Sequence, residues 1–100
     1  MKVDKKSYGD ELVDAADANC TEKLITLLAA GANVNHANEY SYTPLYWAAR
    51  HGHAECVKLL LAAPGIDVNR ANKDGKTPLQ IATERGQTEC AELLRAAGGR

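Results

Sequence analysis

The sequence predicts an all-α fold, a solenoid of helix-turn-helix units joined by projecting turns. Three observations predict it. First, "TPLYWAARHGHAECVKLLL" from Thr43 returns as "TPLQIATERGQTECAELLR" from Thr77, a shift of 34 residues. Second, Leu12, Ala15, Ala16, Glu22, Leu27 and Leu28 each lie 33 residues before Leu45, Ala48, Ala49, Glu55, Leu60 and Leu61. One inserted residue accounts for the two periods, most simply Pro64 in "AAPGIDVN" against "AAGANVN". Third, helices of about two turns are too short to hold in water alone, so they must stack on copies of themselves.

The elements follow in order. Residues 1–9 are expected as an N-terminal tail, and a single domain is expected over 10–100, with units at about 10–37, 38–71 and 72–100. The first unit begins "DELVDAAD" without a Thr-Pro-Leu start, and its Ala15-Ala16 pair suits close helix-to-helix approach. In the middle unit Thr43 can cap the first helix with its hydroxyl, while Pro44 sits where a missing N–H is harmless. Leu45, Ala48 and Ala49 share a face by their i, i+3, i+4 spacing, and Gly52 supplies a left-handed residue to close the helix. The second helix starts near Ala54, carries Val57, Leu60 and Leu61 on one side, and ends before Pro64-Gly65. The third unit repeats this plan, with Arg95 where Leu28 and Leu61 stood. The first and last units therefore read as caps with polar outer faces.

Composition narrows the function. A chain of 100 residues has room for one domain with a modest core. Twelve basic against 13 acidic residues leave a net charge of −1, which gives no broad attraction to nucleic acid or to an anionic membrane. No apolar run approaches the roughly 18 residues of a membrane span. The start "MKVDKKSYGD" has lysines but no apolar stretch to make a signal peptide. Cys20, Cys56 and Cys90 are odd in number and lack CxxC spacing, which fits reduced thiols in a cytoplasmic compartment.

The quoted stretches, with "AAGANVN" and "GIDVN", resemble the ankyrin repeat family over about Asp10 to Gly99. The resemblance implies an L-shaped stack with turns projecting at right angles to the helix pairs, and a protein-binding role. It departs from the family at Tyr46 and Gln80, where a histidine usually ties neighbouring turns by hydrogen bonds. It also implies that Asn69 is a possible substrate for an asparaginyl hydroxylase. The plainer expectation is that Asn35 and Asn69 bond neighbouring backbone and hold the turns.

Chemistry-bearing candidates reduce to packing. His51, His53 and Cys56 form an H-x-H-x-x-C run, but zinc wants four ligands and only three are local. Cys56 and Cys90 occupy the same place in successive units, which reads as a small buried hydrophobe. His53 follows the turn glycine, where the family commonly has histidine, and reads as structural. No base is implied beside a thiol and no acid/base pair is indicated, so no catalytic residue, metal or cofactor is expected. Trp47 is expected to pack between helices with one edge exposed.

Binding is expected on the concave surface built by the turns and the first helices. In the middle unit it comprises Glu39, Tyr40, Tyr42, Tyr46, Arg50 and His51; in the third, Lys73, Asp74, Lys76, Gln80, Glu84 and Arg85. Three of the chain's four tyrosines and its single tryptophan fall within eight residues there. Tyr and Trp remove large rigid area from water at little entropic cost, so Tyr40, Tyr42 and Tyr46 are expected as anchors, with Arg50, Lys73 and Arg85 orienting the partner. The expected function is a monomeric, non-enzymatic interaction module for a folded protein or peptide, not for nucleic acid or membrane. The rivals are a fragment or regulatory arm of a larger enzyme or assembly, and an engineered scaffold without a natural partner.

Overall fold

The computed structural model describes residues 5–100, with side chains from Tyr8 onward. Its described residues form six helices and no strands: α1 (Lys5–Asp17), α2 (Thr21–Ala29), α3 (Pro44–His51), α4 (Ala54–Leu61), α5 (Pro78–Glu84) and α6 (Thr88–Ala96). The first helices of the units, α1, α3 and α5, pack side by side, and α2, α4 and α6 form a second row behind them. The stack measures 41 × 25 × 23 Å.

Local chemistry sets the helix ends. Thr43 Oγ1 accepts from the N–H of Tyr46 at 3.1 Å, with Pro44 at the first helical position. Thr77 does the same for Gln80 at 3.2 Å, and the Gln80 side chain accepts in return from the Thr77 N–H at 3.0 Å. Each first helix then reverses in one way: the N–H groups of Cys20, His53 and Gln87 reach back to the carbonyls of Ala15, Ala48 and Ala82 at 2.9, 2.9 and 2.8 Å. The reversal needs a left-handed residue. Gly52 supplies it at φ 74°, and in the first unit Asn19 does so at φ 56°, a conformation asparagine tolerates better than most residues.

Residues 1–4 of the expected tail lie outside the described residues. From Lys5 the chain is already helical, so α1 begins before the Asp10 boundary and runs 13 residues against eight in α3. Gly9 sits inside this helix although glycine costs roughly 1 kcal/mol there. The gain is close approach: Gly9 is buried, and a Cβ on it would overlap the His36 ring.

The core is a continuous seam through all three units. Leu12, Leu24, Leu45, Val57, Leu60 and Leu94 are sealed from water, and Ala15, Ala16, Ala48, Ala49 and Ala82 let the first helices approach closely. Burying each leucine contributes roughly 1.5–3 kcal/mol.

Hydrogen bonds repeat with the same period. The Asn35 side chain donates to the Gly65 carbonyl at 2.7 Å and accepts from the Asp67 N–H at 2.7 Å. Asn69 repeats this toward Gly98 and Arg100 at 3.2 and 2.8 Å. Each asparagine thus clamps the backbone of the next unit's loop, as expected for the turn-holding role. His53 and Gln87, one unit apart, likewise reach the carbonyls of Asp17 and Arg50 at 3.0 and 3.1 Å.

Leu60 lies in the seam with no exposure. Leu60→Ala should lower unfolding free energy by about 2–5 kcal/mol. Urea titration is expected to show an earlier midpoint at unchanged slope. An unmoved midpoint would remove Leu60 from the core.

Candidate functional site

The face formed by the turns and the first helices begins with two matching turns. Asn38 Oδ1 accepts from the N–H groups of Tyr40 and Tyr42 at 2.9 and 3.1 Å. Asn72 Oδ1 holds Asp74 and Lys76 at 2.9 and 3.1 Å. These asparagines recur 34 residues apart in "NVNHAN" and "DVNRAN", a signal that attention to Asn35 and Asn69 alone had missed. At the tip, Gly75 has φ 76° and its counterpart Ser41 has φ 65°.

From this turn an aromatic run crosses the middle unit. Tyr40 is 58% exposed, the most accessible large apolar side chain among the described residues. Its ring lies 6.3 Å from that of Tyr42, which meets the Trp47 indole edge-on at 4.8 Å. Trp47 stacks flat on His51 at 5.0 Å and carries the Arg50 guanidinium over its ring at 5.4 Å. Trp47 and Tyr42 are half-buried, which leaves faces for a partner.

Tyr46 departs from expectation. Offered as an exposed anchor, it is only 2% accessible, stacked on Tyr42 at 5.1 Å. Its hydroxyl accepts from Asn72 Nδ2 at 3.1 Å, so the second unit is tied to the third unit's turn through this residue. The bond restores the inter-turn tie that a missing histidine had put in doubt. The sequence spacing gave the correct face, but a ring at the helix N-terminus folds inward when a polar partner waits at the end of its hydroxyl.

The remaining expected residues divide by unit. Glu39 is exposed on the second turn; Lys73 and Asp74 are exposed on the third. Lys76 Nζ donates to Glu84 Oε1 at 2.6 Å, and this bond holds the Lys76 ammonium above its ordinary pKa. Gln80 is exposed but engaged in the capping box, and Arg85 is exposed at the C-cap of α5. Asn69 lies on the loop side with both ends of its amide engaged.

Sequence reasoning also missed Asp10, Asp14 and Asp17. Their i, i+4, i+7 spacing puts them on one exposed face of α1, beside the middle unit. Asp10 accepts from His36 Nε2 at 2.8 Å and Asp17 from His51 Nε2 at 3.0 Å. A recess of about 430 Å³ lies between α1 and the second turn, lined by Asp10, Asp14, Asn38, Glu39 and Tyr40.

The H-x-H-x-x-C run is dispersed among different partners. His51 bonds Asp17, His53 bonds the Asp17 carbonyl, and Cys56 Sγ lies 3.4 Å from Asn19 Oδ1. Among the described residues no group of three or more His, Cys, Asp or Glu could hold a metal ion. Cys56 and Cys90 are buried in equivalent positions and Cys20 is exposed. Desolvation, with nearby Glu55 and Glu89 adding, pushes the two buried thiols up, away from nucleophilic thiolate. No described helix is long and apolar enough to cross a membrane.

A family model for ankyrin repeats, in three copies, matches residues 12–99. The chain is also similar to cortactin-binding protein 2. It is 45% identical to the Ornithorhynchus anatinus protein over 47 residues, which is 47% of this chain and 3% of that protein. Against the Saimiri boliviensis boliviensis protein it is 45% identical over 48 residues, 48% of this chain and 3% of the relative. Against the Rattus norvegicus protein the figures are 44% over 47 residues, 47% and 3%. The chain thus spans a small fraction of the length of these curated relatives.

Two outcomes follow for Tyr46 and the thiols. Tyr46→Phe should cost about 0.5–1.5 kcal/mol by orphaning Asn72, and Tyr46→Ala about 3–5 kcal/mol, both read by urea denaturation. In the native protein one thiol, Cys20, should react rapidly with a disulfide reagent, and all three only after unfolding. Because burial raises both folded thiol pKa values, their contribution to stability is present below the ordinary thiol value of about 8.5 and is lost as pH rises through the folded values. A denaturation series from neutral to alkaline pH checks the sign.

Proposed function

The chain belongs to the ankyrin repeat family, and from that premise we propose a non-enzymatic interaction module that binds a folded protein or a peptide. The bound surface is the turn and first-helix face of the middle unit. The observation that carries this reading is the aromatic run from Tyr40 through Tyr42 to Trp47 and His51. The stack does not need Tyr40 for packing, since it stands 58% in water. Exposed aromatics on a rigid frame suit anchoring, because little motion is lost on contact.

Arg50, His51, Lys73 and Arg85, with Glu39 and Asp74, supply a mixed-charge rim that orients the partner and affects encounter more than final affinity. Such a rim suits a protein or peptide rather than a nucleic-acid or membrane surface. The module acts as a monomer in a reducing, cytoplasmic setting, in keeping with its three free thiols. A second reading, an interaction arm within a larger protein, is favoured by relatives in which the matched stretch is 3% of the length. It uses the same face.

The test is capture of partners from source lysate by the protein and by its Tyr40→Ala variant, with purified cortactin, the partner named in those relatives, as a defined bait. Tyr40→Ala should weaken the bound partner by more than about 1 kcal/mol while unfolding free energy moves by no more than about 0.5 kcal/mol. Unchanged affinity for the captured partner would remove the aromatic run from the interface.

A further inference from the structure

Resting on that reading, we infer that the segment docking on this face carries a lysine or arginine beside an apolar residue, with its cation in the recess between α1 and the second turn. Two observations meet there. The aromatic run opens onto the recess through Tyr40, which lines it and is 58% exposed. The other lining groups are Asp10 and Asp14 from successive turns of α1, Glu39 from the turn, and Asn38.

The charge on this site has one sign. Asp10 gives one oxygen to His36 yet keeps 63% of its side chain exposed. The Asn38 carbonyl oxygen is occupied by the Tyr40 and Tyr42 N–H groups, so carboxylate oxygens and the phenol are what the recess offers. A lysine or arginine satisfies both: its head pairs with the carboxylates while its methylene stem lies along the Tyr40 ring. The apolar neighbour in the segment then covers Tyr42 and Trp47, which pack edge-on at 4.8 Å.

The stack also gives direction. One unit further on, the position of Glu39 is taken by Lys73, and Lys76 is bonded to Glu84. A cationic segment is therefore attracted at the boundary of the first and second units and repelled by Lys73 at the next. An acidic segment meets the reverse. Like-charge rejection of this kind sets register and partner choice.

The probe is a short peptide with two Lys-Leu pairs, alongside versions in which Gln or Glu replaces each Lys. Trp47 is the single tryptophan, so its emission reports on the face directly, and backbone amide shifts locate the contact. The Lys peptide should shift Trp47 emission and the Tyr40 and Tyr42 amides, and bind more tightly than the Gln and Glu versions. Its affinity should fall about threefold to tenfold in Asp14→Asn/Glu39→Gln, and fall further with added salt. Equal binding of the Gln peptide, an unaffected double variant, or no response to any peptide would overturn the inference. Glu-peptide binding that depends on Tyr40 would overturn it while leaving the interaction role standing. A lysate partner retained in full by Tyr40→Ala strikes instead at the interaction role.

Discussion

Contact between neighbouring copies of one short helix pair is what every other feature of this chain depends on. Apart from α1, the helices have seven to nine residues, well under the length at which a helix persists in water alone. Ala48 and Ala49 bring α3 against its neighbours on both sides, and Leu60 and Val57 close the seam behind. No unit has a private core. Each supplies a wall of the next, so the binding face inherits its rigidity from packing that lies elsewhere.

Polar groups follow the same logic. Asn35 and Asn69 each offer a donor and an acceptor to the backbone of the following unit, replacing the partner a strand would have supplied. Irregular loop backbone needs such partners wherever water is displaced. Asn38 and Asn72 work within a turn, and Asn72 extends outward again through the Tyr46 hydroxyl. Four asparagines at a 34-residue spacing thus hold the turns to one another and fix where Tyr40 and Tyr42 stand.

The helices were legible because their signals are local and recur: Thr-Pro starts, the alanine pairs, and Gly52 at the stop. The buried cysteines were legible for the same reason, since Cys90 repeats Cys56. The face of the site was legible too, but not the depth of each side chain on it. Tyr46 and Tyr42 lie four residues apart, and only the position of Asn72, from another unit, decides that the first turns inward. Asn19 in the left-handed region stands where a glycine was the expected signal. The early start of α1 escaped because Gly9 argues against a helix unless the His36 ring above it is known. The aspartate ridge escaped because its meaning depends on which residues the second turn brings opposite.

Comparison of the two complete turns shows what the stack requires and what it does not. Both are held by an asparagine in one geometry, and Gly75 meets the left-handed tip of the third without strain. The second places Ser41 there at φ 65°, a conformation that costs a non-glycine residue roughly 1–2 kcal/mol. It also holds Tyr40 in water, where Asp74 stands in the other. Neither feature adds to the seam of leucines and alanines. Costs of this kind persist where the surroundings over-determine a conformation, and they concentrate where a surface has to touch something else. The middle unit, flanked on both sides and therefore the most rigidly supported, is where the chain can carry them.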